Sequence, residues 1–253
     1  MIDETTSLVL LANKGNYATL IYAFENIGFN RIEKEYEFTE PIEPIELISV
    51  VGSIKVDLIV GVFDDCDERI IAYFELIANK ILRFDKKTSD AKAYNELFRQ
   101  CTTDNICILR SNVYLQKNWL LELLFYNKNI ANSGVVAITS SFLNAEYLPI
   151  LSIEERFINV FMNADVSIND DEILFFKRQH LFLVGALDES NEIKGYEFLQ
   201  FQIRAYHLGL VNYYIPSQTS IILQSKIIEE SAIERVKDTI KEMRKNNSYY
   251  LPL

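Results

Sequence analysis

Short apolar runs alternate with segments of helical periodicity through the first half of the chain, and this alternation constrains the fold more than any other feature. Residues 7–12 (SLVLLA) read as a first strand, 57–63 (DLIVGVF) as a buried strand, and 80–84 and 106–109 as two more. Between them, 17–27 places Leu20, Ile21, Phe24 and Ile27 on one helical face, and 68–78 reads as a helix. Residues 90–100 form another, with Ser89 or Asp90 as its N-cap. Residues 45–51 are a weaker strand candidate, and the PIEPIE segment before them suits only a loop or a sheet edge. Strand and helix in turn is the signature of parallel α/β layering.

The second half is less regular. A strand is expected over 135–139, a loop over 142–151, a helix over 153–162 and a polar loop over 163–171. The apolar segment 173–176 runs into a helix-like stretch, 178–184. A helix over 195–208 and a strand over 211–215 follow. Residues 227–245 carry Ile228, Ala232, Ile233, Val236, Ile240 and Met243 at helical spacing. This organisation predicts one domain over 1–225, then an amphipathic helix and tail over 226–253. The helix would pack on the domain or on a second copy, which would make a homo-oligomer.

Composition narrows the function classes. Net charge is −11, from 25 basic against 36 acidic residues, which argues against nonspecific nucleic-acid binding. No apolar run reaches the roughly 18 residues of a membrane span. The opening MIDETTSLVLLANKG has no basic stretch before its apolar run and reads as a strand, not a signal peptide. Cys66, Cys101 and Cys107 have no metal-ligand spacing, and their odd number argues against a disulfide framework. A reducing cytoplasm is the matching expectation. Cys101 and Cys107 read as small core residues, and His180 and His207 as structural.

Residues 105–124, NICILRSNVYLQKNWLLELL, join an apolar run to a polar step (Arg110, Ser111, Asn112) and then to a helix bearing Trp119, Leu120, Leu123 and Leu124. This resembles the strand–DxD–helix signature of nucleotide-sugar glycosyltransferases. Five further blocks resemble the same family in order: SLVLLANKGN, DLIVGVFDDCDE, SDAKAYNELFRQC, FFKRQHLFLVGALDES and KGYEFLQFQIRAYHLGL. Together they resemble a family-2-type inverting glycosyltransferase over about residues 7 to 216. The resemblance implies a three-layer α/β/α fold of the A type, with a mostly parallel central sheet and a C-terminal helix. It implies a nucleotide-diphosphate sugar as donor and a glycan, polysaccharide or lipid-linked saccharide as acceptor. Carried over position by position, it puts Asn13, Asp64, Asp65, Asn95, Arg110 and Asn112 at the nucleotide. Lys177, Arg178 and Asp188 fall on the acceptor side, and Glu197 becomes the catalytic base in preference to Asp188 or Asp171.

Three family features are eroded. The metal step, acidic in the family, reads Arg110 and Asn112, and no late histidine stands around 217–224. The Glu–Asp pair at the base step reads Glu197-Phe198. The family usually holds Mg²⁺ or Mn²⁺ on the diphosphate through oxygen ligands. Here no metal ligand is assigned and little metal dependence is expected, because a guanidinium at 110 can hold a diphosphate through bidentate bonds. Two readings stand: an active transferase, or a catalytically silent glycosyltransferase-like subunit that binds or scaffolds. A nucleotidyltransferase is weaker, since no Gly-rich phosphate loop occurs near the N-terminus. Ordinary structural roles compete at each site: Asn95 bonding a loop backbone, Asp64 or Asp65 capping the next helix, Asp67 as a cap.

Overall fold

The computed structural model describes residues 5–12, 35–38, 52–109, 113–115, 119–129, 132–139, 173–190, 197–216 and 220–222, with Asp238, Glu242 and Lys245. The segments expected over 17–27, 45–51, 142–151, 153–162 and 163–171 lie outside the described residues. So does the 227–245 stripe, apart from those three residues, which are helical and exposed.

The sheet is built outward from β1 (Thr5–Ala12), whose Leu8, Val9 and Leu10 are wholly buried. Parallel strands covered on both faces read as continuous apolar runs, and β1 is one. It pairs in parallel with β3 (Gly52–Phe63) on one side and β5 (Asn105–Leu109) on the other. The side of β3 away from β1 holds two short strands. Its first residues pair antiparallel with β2 (Glu35–Phe38), and its last pair in parallel with β4 (Lys80–Phe84). Beyond β5 come β8 (Ile173–Lys177), β7 (Ser133–Thr139) and β9 (Val211–Pro216), completing an eight-stranded sheet. Only β2 and β8 run against the rest.

Helices cover both faces. Helix α1 (Glu68–Ile77) packs on β3, and α2 (Asp90–Gln100) on β3 and β1. Both carry the caps their sequences offer: the Asp67 carboxylate accepts from Arg69 N at 2.8 Å, and Ser89 Oγ from Lys92 N at 3.3 Å. Helix α3 (Trp119–Asn129) packs on β7 and β8, and α5 (Glu197–His207) on β7 and β9. The face of each follows from strand alternation. Phe176 of β8 meets Phe98 of α2 and Phe201 of α5, with ring centroids 6.1 and 5.4 Å apart. Ile106, paired with Phe176, shares that face, so Asn105 points to the other, where it meets Asn127 of α3. The result is the three-layer α/β/α fold the sequence predicts. None of the described helices is long and apolar enough to cross a membrane.

The edge where the parallel strands begin is consolidated by buried amides. Asn127 Nδ2 donates to Asn105 Oδ1 at 3.3 Å, and Ser133 Oγ to Asn127 Oδ1 at 3.0 Å. Asn212 takes Val135 N–H and donates to Gln202 O, tying β9 to β7 and α5. His180, in the short helix α4 (Gln179–Val184), donates from Nδ1 to Gly134 O at 3.1 Å. It is therefore structural, as expected. Cys66, Cys101 and Cys107 are free thiols in the core, and burial pushes Cys101 up to about 12.

Two outcomes follow from this packing. A Cβ on Gly61 would meet Phe84 Cε2 at 2.8 Å, Leu11 Cδ1 at 2.9 Å and Leu97 Cδ1 at 3.1 Å. Gly61→Ala is therefore expected to cost about 1–3 kcal/mol in urea unfolding. Burial, aided by Lys177, lowers His180 from 6.5 to about 4. The unfolded chain takes up that proton below pH 6.5 and the folded chain only near pH 4. Stability should thus fall as pH drops through this window, by up to about 3 kcal/mol. The component should vanish in His180→Gln, and an unchanged pH slope in that variant would count against it.

Candidate active site

The site is defined by an edge. Strands β1, β3, β4, β5, β7 and β9 end together, at Ala12, Phe63, Phe84, Leu109, Thr139 and Pro216. Ligands of open α/β sheets bind outside these carboxyl ends. A two-stranded antiparallel ribbon stands beyond this edge. β6 (Val113–Leu115) pairs with β10 (Ser220–Ile222), Val113 opposite Ile222. It ties the chain leaving β5 to the chain leaving β9, a pairing the sequence did not announce because each strand is only three residues long. Asn13, Arg110 and Asn112 lie outside the described residues.

Asp64 and Asp65 form the turn at the exit of β3. The turn is fixed by backbone bonds, Asp64 N to Phe84 O and Cys66 N to Phe63 O, both 3.0 Å. The capping of α1 falls to Asp67, as expected of it, and this leaves Asp64 exposed and Asp65 half-buried at the edge.

The acceptor-side block is placed differently from expectation at one point. β8 runs antiparallel to β5, so Lys177 pairs with Asn105 at the edge where β5 begins. Arg178 follows, its N–H bonded to Asp104 O at 2.8 Å. Lys177 and Arg178 therefore stand at the opposite edge from Asp64 and Asp65, across the length of the strands. The chain returns through α4, which ends on Gly185 at φ 87°, a left-handed conformation suited to glycine. The loop from Gly185 to Ser190 then climbs back along α5.

That loop is bound by side chains of α2 and α5. Arg204, wholly buried, donates from Nη1 to Val184 O at 2.8 Å and from Nη2 to Ala186 O at 2.5 Å. Its guanidinium lies over the Phe201 ring, 5.8 Å from the centroid. Burial lowers it to about 10, against the pull of the Asp188 charge. Asn95 grips Leu187 twice, Oδ1 accepting from its N–H at 2.9 Å and Nδ2 donating to its carbonyl at 3.0 Å; Nδ2 also meets Glu189 Oε1 at 2.9 Å. Asn95 thus makes the loop-backbone bonds that competed with a nucleotide role. Gln200 Nε2 donates to Asp188 Oδ2 at 2.9 Å, and Ser190 N–H to Asp188 Oδ1 at 2.8 Å. Gln200 was not legible as a site residue, since a single glutamine in a helical pattern carries no signal.

Helix α5 leads into the start of β9, so its first residue, Glu197, lies toward the edge where the strands end. Glu197 is buried. Phe198, where the family resemblance expects the second carboxylate, is a core residue packed edge-on against Tyr94, centroids 4.9 Å apart. Asp64 and Asp65 thus stand at the edge where the strands end, the Asp188 loop and Glu197 lie toward it along α5, and Lys177 and Arg178 stand at the opposite edge. Among the described residues, no group of three or more His, Cys, Asp or Glu side chains could hold a metal ion.

No protein-family model and no curated protein matches this chain. Solved structures do. Staphylococcus aureus TarS superposes with a TM-score of 0.60 at 14% identity, over 95% of this chain and 39% of that one. A mannosyltransferase from Pyrobaculum calidifontis, in complex with GDP-Man and Mn²⁺, gives 0.56 at 12%, over 87% and 57%. Glucosyl-3-phosphoglycerate synthase from Mycobacterium tuberculosis, in complex with Mg²⁺ and UDP, gives 0.55 at 11%, over 96% and 79%. The chain spans about two fifths of the TarS chain and under three fifths of the mannosyltransferase. At these identities the likeness establishes the fold, the glycosyltransferase A type.

The Arg204 bridge carries its own prediction. A lysine ammonium is a point donor and cannot reproduce the planar two-nitrogen span between the Val184 and Ala186 carbonyls. Arg204→Lys should lose about 2 kcal/mol in urea unfolding, the scale of a buried acceptor left unpaired. A midpoint unchanged from wild type would refute the bridge.

Proposed function

We propose that this chain transfers a sugar, with inversion, from a nucleoside-diphosphate donor to a glycan, polysaccharide or lipid-linked saccharide acceptor. The observations that support it most are that Asp64 and Asp65 stand at the exit of β3, on the edge where the parallel strands of an A-type fold end, and that the pinned Asp188 loop runs toward that edge. Fold neighbours include TarS in complex with UDP-GlcNAc and the mannosyltransferase with GDP-Man, which makes such a donor the natural class to test.

In this reading Asp64 or Asp65 meets the base edge, as an acceptor for its N–H groups. Arg110 and Asn112 face the diphosphate with Asn13 nearby. A carboxylate at the start of α5 or in the loop beside it takes the acceptor proton as the hydroxyl attacks. Divalent cations want several oxygen ligands, mostly charged. The donor set Arg110, Ser111 and Asn112 does not fit one. A guanidinium does suit the charge that develops on a leaving diphosphate.

A second reading, a catalytically silent binding or scaffold subunit, draws on one observation: Phe198 is closed into the core where the resemblance expects a carboxylate. Calorimetric titration with UDP, GDP and dTDP, each with Mn²⁺ and with EDTA, tests the proposal. At least one nucleotide should bind, with less than a tenfold loss of affinity on chelation. Binding that needs Mn²⁺ would remove the arginine reading, and no binding at all would remove the donor site.

A further inference from the structure

The loop after α4 is fixed almost residue by residue, and everything that fixes it leads to one carboxylate. Arg204 holds the carbonyls on either side of Gly185, Asn95 holds both backbone groups of Leu187, and Gln200 holds Asp188 Oδ2. Arg204 and Gln200 are 0% exposed and Asn95 1%. A turn-forming aspartate needs only one oxygen, here Oδ1 on Ser190 N–H. The second oxygen of Asp188 is bound by a buried amide from another element, which a turn does not require. Asp188 itself stays half-buried, and each carboxylate oxygen keeps a lone pair beyond its one bond.

Direction matters as much as fixation. Between Ala186 and Asp188 the loop advances from Arg204 to Gln200, one turn of α5 toward the helix start. That is the direction of the ligand-binding edge. The alternative carboxylate, Glu197, is 7% exposed, and its neighbour Phe198 is sealed against Tyr94.

We propose that Asp188 is the carboxylate that deprotonates the acceptor, with Gln200 as its positioning residue; this rests on the transferase reading above. The acceptor hydroxyl proton moves to a free lone pair of Asp188. The acceptor oxygen bonds to the anomeric carbon from the face opposite the diphosphate. The bond from that carbon to the diphosphate oxygen breaks, and its electron pair leaves with the nucleoside diphosphate. Asp188 then returns its proton to water. Preorganisation by buried partners is what such a base needs, because a misplaced carboxylate loses rate steeply.

Asp188→Asn tests this with little change of shape. Its Oδ1 still accepts from Ser190 N–H, and the Gln200 amide, turned over, offers its oxygen to the new NH₂. The assay is release of UDP from UDP-GlcNAc and of GDP from GDP-mannose, to water and to mono- and oligosaccharide acceptors. Asp188→Asn should lose at least a hundredfold in turnover, and at least tenfold more than Glu197→Gln, with nucleotide affinity within threefold of wild type. Gln200→Leu should lower kcat about tenfold and leave the donor KM within threefold, a split that a merely structural role would not produce. Turnover of Asp188→Asn within threefold of wild type would overturn the assignment while the transferase reading stood. Wild-type protein that binds neither nucleotide nor donor would overturn both.

Discussion

A buried guanidinium organises the loop that follows α4 in this molecule. Removing a charge from water costs several kcal/mol, and the cost is offset by well-placed hydrogen bonds and nearby charge. Arg204 finds two carbonyls, an aromatic face and the field of Asp188. The carbonyls lie at the end of α4, where the helix dipole is negative and a cation is favoured. With that end fixed to α5, the loop beyond it starts from a fixed point. Asn95 and Gln200 then hold it from the two helices between which it runs. An apolar residue at 204 would leave the carbonyls unpaired, so the charge is bound up with the loop.

The two edges of the sheet are built on different principles. Where the parallel strands begin, amides and hydroxyls bond to one another: Asn105, Asn127, Ser133, Asn212 and His180. These five side chains join strand to strand or strand to helix. Where the strands end, the described residues are the exposed or half-exposed acidic turn after β3 and the β6–β10 ribbon. One edge is closed by internal bonds, and the other is the edge at which the proposed donor site stands. The antiparallel β8 links them, carrying the basic pair Lys177 and Arg178 away from the site before α4 and the loop bring the chain back.

Most of the strand and helix pattern was legible because it depends on local periodicity. β1, β3, β5 and α2 read directly from apolar runs and from Ser89. Asp67 was legible as a cap because capping is decided within one turn. β2 and the β6–β10 ribbon were not, since strands this short have no periodicity to detect. The Gln200–Asp188 and Asn95–Leu187 bonds join residues 12 and 92 apart, and no local pattern announces them.

The amino-acid sequence by itself determined the layered α/β class, the order of its longer elements and the apolar faces they bury, because hydrophobic periodicity acts over a few residues at a time. It also determined that positions 110–112 read Arg, Ser and Asn, without a carboxylate, since that is a matter of residue identity. Tertiary structure decided on which edge each polar residue stands. Lys177 and Asp188 are close in the chain, but the direction of β8 and the hold of Arg204 on the returning loop separate them. Strand direction and buried hydrogen bonds are settled only when distant segments pack together, and the placing of charges at the candidate site follows from both.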